Sequence, residues 1–198
     1  MPTRQSSSST SLSLLDRVKE FDADAWDRFT KLYGPIVYRW CRQAGLQDND
    51  AADVSQEVFR AVANGIGSFR REEPGSSFRG WLWTITRNKL RDYFQWLSSR
   101  PSAVGGTDAN QQLQSIPDSP PDEEHSSDSD LTAGLAHRAL ELVRDEFETR
   151  TWQAFLRVAI GGQNPAVVAE ELGMKVGAVY TAKSRVLRRL REEIEGLI

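Results

Sequence analysis

Asn164-Pro165-Ala166-Val167-Val168-Ala169-Glu170-Glu171-Leu172-Gly173-Met174-Lys175-Val176-Gly177-Ala178-Val179-Tyr180 reads as a short helix, a glycine turn and a second helix. Asn164 suits the N-cap. Pro165 suits the first helical position, where its missing N–H would be unpaired anyway. Val168, Ala169 and Leu172 make an inner face, and the small Ala169 lets the next helix cross closely. Gly173 can take the positive φ that stops a helix abruptly. Val176 and Val179 start a new apolar stripe. This is the pattern of a helix-turn-helix whose second helix enters a DNA major groove. From Lys175 to Arg191 there are six basic residues and no acidic ones, so a nucleic-acid partner is the first expectation.

The whole chain argues the other way until its charge is mapped. It has 198 residues and a net charge of −3. Residues 101–130 carry seven acidic side chains and no Lys or Arg; without them 25 basic residues stand against 21 acidic ones. The acidic total therefore hides two mildly basic blocks. Cys41 is the only cysteine, which excludes an internal disulfide, fits the cytosol, and reads as a small buried group. His125 and His137 stand in different contexts, so no metal or cofactor site is expected. No apolar run reaches the length of a membrane span.

Four segments follow. Residues 1–11 are a Ser-rich tail, expected to be disordered. Residues 12–98 carry apolar and aromatic residues at helical spacing. Residues 99–130 are rich in Pro, Gly, Ser, Asp and Gln and read as a flexible acidic linker. Residues 131–198 are helical again. The predicted fold is all-α, two small helical domains on one linker. Pro35 is expected to interrupt or kink its helix. Asp48 or Asp50 should cap the next one, running to about Ile66. A long helix is expected from about Ser77 to Leu97, and helices over 131–147 and 151–160 should complete a four-helix unit with the helix-turn-helix.

The long helix has two apolar stripes. Phe78, Trp81, Leu82 and Ile85 are the expected core face. Trp83, Arg87, Leu90 and Phe94 form another, and Arg79, Lys89 and Arg91 add positive charge. A surface helix needs only one apolar face. Either both faces pack inside the domain, or the second, with Phe69, Arg70, Arg71 and Ser76 before it, meets single-stranded nucleic acid by stacking and phosphate pairing. The helix before it shows Asp53, Gln56, Glu57 and Arg60 on its outer face, an ordinary wet surface or a dock for a basic partner.

Asp53-Val54-Ser55-Gln56-Glu57-Val58-Phe59, then Phe78-Arg79-Gly80-Trp81-Leu82-Trp83-Thr84-Ile85-Thr86-Arg87-Asn88 and Asp92-Tyr93, resembles region 2 of the extracytoplasmic-function (ECF) sigma factors. The C-terminal helix-turn-helix resembles their region 4. The two motifs cover roughly residues 12–98 and 131–195, in the family's order.

The resemblance implies a non-enzymatic subunit that directs core RNA polymerase to promoters. Asp50, Asp53, Gln56, Glu57 and Arg60 would dock on the β′ clamp helices, and the C-terminal domain would meet the β flap. Phe69, Arg70, Arg71, Ser76, Trp81, Trp83, Arg87, Asn88, Lys89, Arg91 and Tyr93 would open and hold the −10 element. Lys175, Gly177, Ala178, Tyr180, Thr181, Ser184, Arg185 and Arg188 would meet the −35 duplex. An anti-sigma factor is a further implied partner, and the acidic linker would thread through polymerase channels. Lys175 stands where the family commonly has Ser or Thr, and Phe94, Gln95 and Trp96 replace arginines often found after Tyr93, which implies weak DNA affinity for the chain alone. Arg185 ranks first for base contact. The competing expectation is a free-standing helix-turn-helix regulator whose N-terminal helical domain senses a ligand or protein.

Overall fold

The computed structural model describes residues 13–69, 77–99, 106–121 and 128–195, and every regular element among them is helical. In chain order these are α1 (Leu14–Lys19), α2 (Ala23–Gln43), α3 (Asp48–Gly65), a 3₁₀ turn (Ile66–Ser68), α4 (Phe78–Ser98), α5 (Gly106–Ser115), α6 (Asp128–Arg144), α7 (Thr149–Phe155, continuing as a π turn over Leu156–Ile160), α8 (Pro165–Glu171) and α9 (Val176–Ile194). The all-α expectation holds.

Capping accounts for several boundaries. Ser13, Asp22, Ser77 and Asn164 each accept a hydrogen bond from a backbone N–H in the first turn that follows, which satisfies a donor the helix cannot. At α3 the cap expected from Asp48 or Asp50 is absent. Gln47 is the N-cap and makes no side-chain bond; Asp48 and Asp50 lie in the first turn, where their charge still favours the positive end of the helix dipole. Pro35 does not interrupt α2. The residue four before it is Lys31, and both are exposed, so the carbonyl that loses its partner faces water.

The N-terminal core is aromatic. Phe29 packs edge-on against Phe59 and Phe78, with ring centroids at 5.8 and 5.7 Å. Tyr33 meets Phe78 at 5.2 Å. Burial pushes the Tyr33 hydroxyl far above its ordinary range. Val54, Val58 and Val62 close the core from α3.

Helix α4 turns differently from the expected stripe. Phe78, Leu82, Trp83, Thr86, Leu90 and Phe94 are buried, whereas Trp81 and Ile85 are only partly so. Both apolar faces are covered, the first of the two possibilities. The cover on the second face comes from the linker. The segment 106–121 is not the flexible spacer its composition suggests: α5 lies along α4, and Ile116 and Pro120 are buried. The Trp83 indole N–H donates to the Asp118 carbonyl at 3.2 Å. Trp40 meets Trp83 edge-on at 5.3 Å.

In the C-terminal part, α7, α8 and α9 pack through Ala154, Val168, Ala169, Val179 and Ala182. Trp152, Phe155 and Val143 close against Val186. Gly173 sits at φ +61°, and a Cβ placed on it would meet nothing within 4 Å, so its role is the left-handed turn and not a close approach.

The two halves touch. Arg28 on α2 donates through Nε to Glu193 at 2.7 Å and pairs through Nη1 with Glu146 at 2.8 Å. Arg189 on α9 binds the same two carboxylates, Glu146 at 2.6 Å and Glu193 at 2.8 Å. The four groups form a closed ring of alternating charge, and Glu193 is only 1% exposed. Burial of the Glu146 carboxyl raises its pKa, but the Arg189 hydrogen bond and the Arg189 and Arg28 charges outweigh that and hold it below the usual range.

Two outcomes follow from this packing. Trp83→Ala should cost about 3–5 kcal/mol of folding stability, while Trp96→Ala, at a site 50% exposed, should cost about 0.5 kcal/mol or less; urea denaturation followed by circular dichroism measures both. Because the folded Glu146 carboxyl titrates low, its stabilisation is complete above the ordinary glutamate pKa and fades as pH falls through the depressed one. The thermal midpoint should therefore drop more steeply in the wild type than in Glu146→Gln between about pH 6 and about pH 3.

Candidate nucleic-acid interface

Helix α9 is amphipathic with a sharp division. Val179, Ala182 and Val186 point inward and are buried. Lys175, Gly177, Ala178, Tyr180, Thr181, Ser184, Arg185 and Arg188 are all exposed. The structure thus brings every sequence-nominated residue of the C-terminal part onto the open side of one helix. Lys175 is the N-cap and makes no side-chain cap bond. Its side chain is exposed at the positive helix end, a favourable place for a phosphate. The Thr181 hydroxyl donates to the Gly177 carbonyl at 2.9 Å, which leaves its oxygen to accept. Arg185 and Arg188 have no acidic partner among the described residues. Arg189, one position on, is committed to Glu146 and Glu193. Position on the helix therefore separates free guanidinium groups from structural ones.

A short ladder supports this helix from behind. Asn164 caps α8, and Arg157 on the π turn hydrogen-bonds Gln163 at 2.7 Å and pairs with Glu171. A Cβ at Gly161 would lie 2.9 Å from the Arg157 carbonyl. Any larger residue there would push the loop that leads into α8.

The long helix α4 offers a narrower wet stripe than expected. Thr84, Asn88, Asp92, Gln95 and Trp96 are exposed, and Trp81, Arg87, Lys89, Arg91 and Tyr93 are half-buried. Trp83 is withdrawn from this group: it is 2% exposed and filled in behind by the linker. Phe69 is withdrawn too, at 4% exposed, with its ring 5.3 Å from both Phe78 and Trp81 and Lys19 above it at 5.8 Å. Both serve the core in this arrangement, because an aromatic ring beside a crowded helix start gains more from burial than from water. Arg87 pairs with Asp118 of the linker. Arg70, Arg71 and Ser76 lie outside the described residues.

The residues nominated for a protein partner divide between two depressions. Asp50, Asp53, Val54 and Glu57 line an open groove of about 610 Å3 between α3 and α4, with Lys89, Asp92, Tyr93 and Trp96 opposite. Gln56 and Arg60 instead line an apolar hollow of about 550 Å3 with Trp26, Thr30, Phe59 and Ala63. Glu57 and Arg60 form an ion pair across the ridge between them. Asp92 and Trp96 belong to the groove and were not nominated. Asp92 stands three residues after Lys89 and Trp96 three after Tyr93, which was the available signal.

Among the described residues no group of three His, Cys, Asp or Glu side chains could hold a metal ion. Burial pushes the Cys41 thiol up to about 11 against a weaker opposing bond from Ser55, so it is a poor nucleophile. No described helix is long and apolar enough to cross a membrane.

Comparisons with known proteins agree with this anatomy. Residues 29–98 match the family model described as Sigma-70 region 2. The ECF RNA polymerase sigma factor BldN of Streptomyces coelicolor is 29% identical over 191 residues, covering 96% of this chain and 67% of that protein. The ECF RNA polymerase sigma factor ShbA of Streptomyces griseus is 27% identical, covering 90% of this chain and 92% of that one. A solved structure of CnrH in complex with the cytosolic domain of CnrY aligns over 89% of this chain and 92% of that one at 21% identity and a TM-score of 0.36, too loose a fit to compare helix placements. Aromatic helix, helix-turn-helix and near full-length similarity converge: the chain is similar along most of its length to ECF RNA polymerase sigma factors, and residues 29–98 match Sigma-70 region 2.

Proposed function

We propose that this chain binds core RNA polymerase and directs it to start transcription at a particular class of promoter, with no reaction of its own. The observation that carries this is the pairing of an unobstructed basic reading face on α9 with an acidic, aromatic-lined groove on α3 and α4, in a chain similar along its length to ECF sigma factors.

In this proposal α9 lies in the major groove of the −35 duplex. Lys175 and the start of α9 hold phosphate. Arg185 and Arg188 reach base edges, where a guanidinium can bond guanine in two places at once. Ala178 offers a methyl surface for thymine. Thr181 and Ser184 meet phosphate, and Tyr180 flanks them.

At the −10 element the wet stripe of α4 receives one unpaired strand. Trp81 supplies a stacking edge, Asn88 a polar pair, and Arg87, Lys89, Arg91 and Tyr93 track the backbone together with Arg70, Arg71 and Ser76. Holding an extruded base offsets a few kcal/mol of unstacking. The β′ clamp docks on Asp50, Asp53 and Glu57 in the groove and on Gln56 and Arg60 beside it. The β flap meets the C-terminal helices, and an anti-sigma factor competes for these surfaces. Residues 12–98 and 131–198 are the two working parts, and 99–130 joins them.

Arg185→Ala should weaken discrimination at a cognate −35 element by about 1–3 kcal/mol, whereas Lys175→Ala should weaken binding alike on all sequences and reduce its salt dependence by about one ion. Run-off transcription with core polymerase on promoter variants measures the first and salt titration of holoenzyme on duplex DNA the second; equal loss on matched and mismatched elements for Arg185→Ala would refute its base-reading role. Asp53→Lys combined with Glu57→Lys should lower affinity for core polymerase about tenfold or more by reversing charge at the dock. Helicity should be unchanged, and fluorescence anisotropy of the labelled chain gives the affinity.

A further inference from the structure

From the ring of Arg28, Glu146, Arg189 and Glu193 we propose that the free chain is locked shut by an ionic latch, which must break before both promoter elements can be engaged. This rests on the sigma-factor reading for what opening achieves, but the lock itself is a property of the chain alone.

The ring has one member from the first module and three from the second. Arg28 stands on α2; Glu146 follows α6; Arg189 and Glu193 stand one turn apart on α9, the helix that carries the DNA-reading face. Each carboxylate touches both guanidinium groups, and each guanidinium touches both carboxylates. Glu193 is almost wholly covered while Arg28 and Arg189 are each about one-fifth exposed. Such a group is strongly held when complete and costly when one partner is lost, because a buried charge is then left uncompensated. Leu190 and Ile194 pack beside it on the N-terminal core, so the contact also excludes water. If the modules separate, Arg28 leaves, Glu193 meets water, and Arg189 keeps Glu146 and Glu193 company on the second module alone. The ring therefore has two tolerable states, shut and fully open, and a poor intermediate.

The shut state cannot serve both elements. Their names place them 25 base pairs apart, about 85 Å along a duplex at roughly 3.4 Å per base pair. A compact chain of this length has a radius of gyration of roughly 16 Å and a diameter near 40 Å. Holding α9 against α2 keeps the two reading helices within that diameter. Binding to polymerase must then include the cost of opening, and apparent affinity falls by the fraction of chains that are open.

Energy transfer between dyes on Asn64→Cys and Glu170→Cys, both exposed and on different modules, reads the latch directly, since Cys41 is buried. Transfer should be high in the free chain and should fall when core polymerase is added. Arg28→Met should lower it without polymerase, with unchanged far-ultraviolet circular dichroism, and should tighten apparent binding to core polymerase about tenfold. If Arg28→Met loses helicity, Glu193→Gln takes its place in the same measurement. Transfer that stays high in the helical variant, or opening without any gain in affinity, overturns the latch. Failure of the unlabelled wild type to bind core polymerase would instead sink the sigma-factor reading, and the free-chain transfer would still decide whether the ring holds the modules together.

Discussion

A helix that is apolar nearly all round has to be covered nearly all round, and α4 imposes that requirement on the rest of the chain. Its buried arc of Leu82, Trp83, Thr86, Leu90 and Phe94 is met in part by α2 and α3, with Trp83 beside Trp40 of α2. Leaving two indoles wet would forfeit about 1.5–3 kcal/mol each in transfer free energy. Among the described residues the segment that follows α4 covers them, and it does so with few apolar groups: Ile116, Pro120 and the partly buried Leu113. Backbone supplies the rest, through the Asp118 carbonyl that accepts from the Trp83 indole.

That cover has a consequence for the second module. Once residues 106–121 are held on α4, only six residues separate Pro121 from the start of α6 at Asp128. A fully extended stretch of that length reaches about 25 Å. The second module is therefore kept near the first at an effective concentration in the millimolar range for a short tether. Tethering lowers the entropic cost of forming the ring, which would be a weak association between free bodies given the desolvation of Glu193. Core packing, linker order and module closure are thus successive steps of one dependence, with Trp83 at its root.

What was legible in the chain follows the range of the interactions. The helix-turn-helix could be read closely because its determinants lie within a few residues of each other. Asn164, Pro165 and Gly173 do in the structure what their local chemistry predicts, and the exposed face of α9 follows from helical periodicity alone. The rotation of α4 was not legible, since apolar residues around the whole helix leave its phase to whatever packs on it. The order of 106–121 was hidden because composition reports on average hydrophobicity, and here three or four side chains and one carbonyl suffice. The ring was invisible for a plainer reason: Arg28 and Glu193 are 165 positions apart. A charge pattern with that separation has no periodicity to reveal it. Among the site residues, the burial of Phe69 and Trp83 in the free chain was not legible, because a large aromatic beside arginines has the same sequence signature whether it faces water or another ring.

Reach also decides whether releasing the ring is enough. With 106–121 still on α4, the modules are joined by about 25 Å of chain, and two bodies each roughly 25–30 Å across could place their centres near 50 Å apart, short of the 85 Å or so between the two elements. Freeing the whole interval from Arg100 to Ser127 gives 28 residues and about 95 Å of reach, which suffices. Opening at the ring and peeling of the linker would therefore both be required by the proposed transition. The second uncovers Trp83 and frees Arg87 from Asp118, on the very helix proposed to hold the −10 strand. An acidic side chain thus occupies a guanidinium that a phosphate would take, and the exchange of one anion for the other costs less than exposing the arginine to neither. In the proposed transition the linker that completes the core in the free chain would become, once lifted, the span between the two proposed reading surfaces.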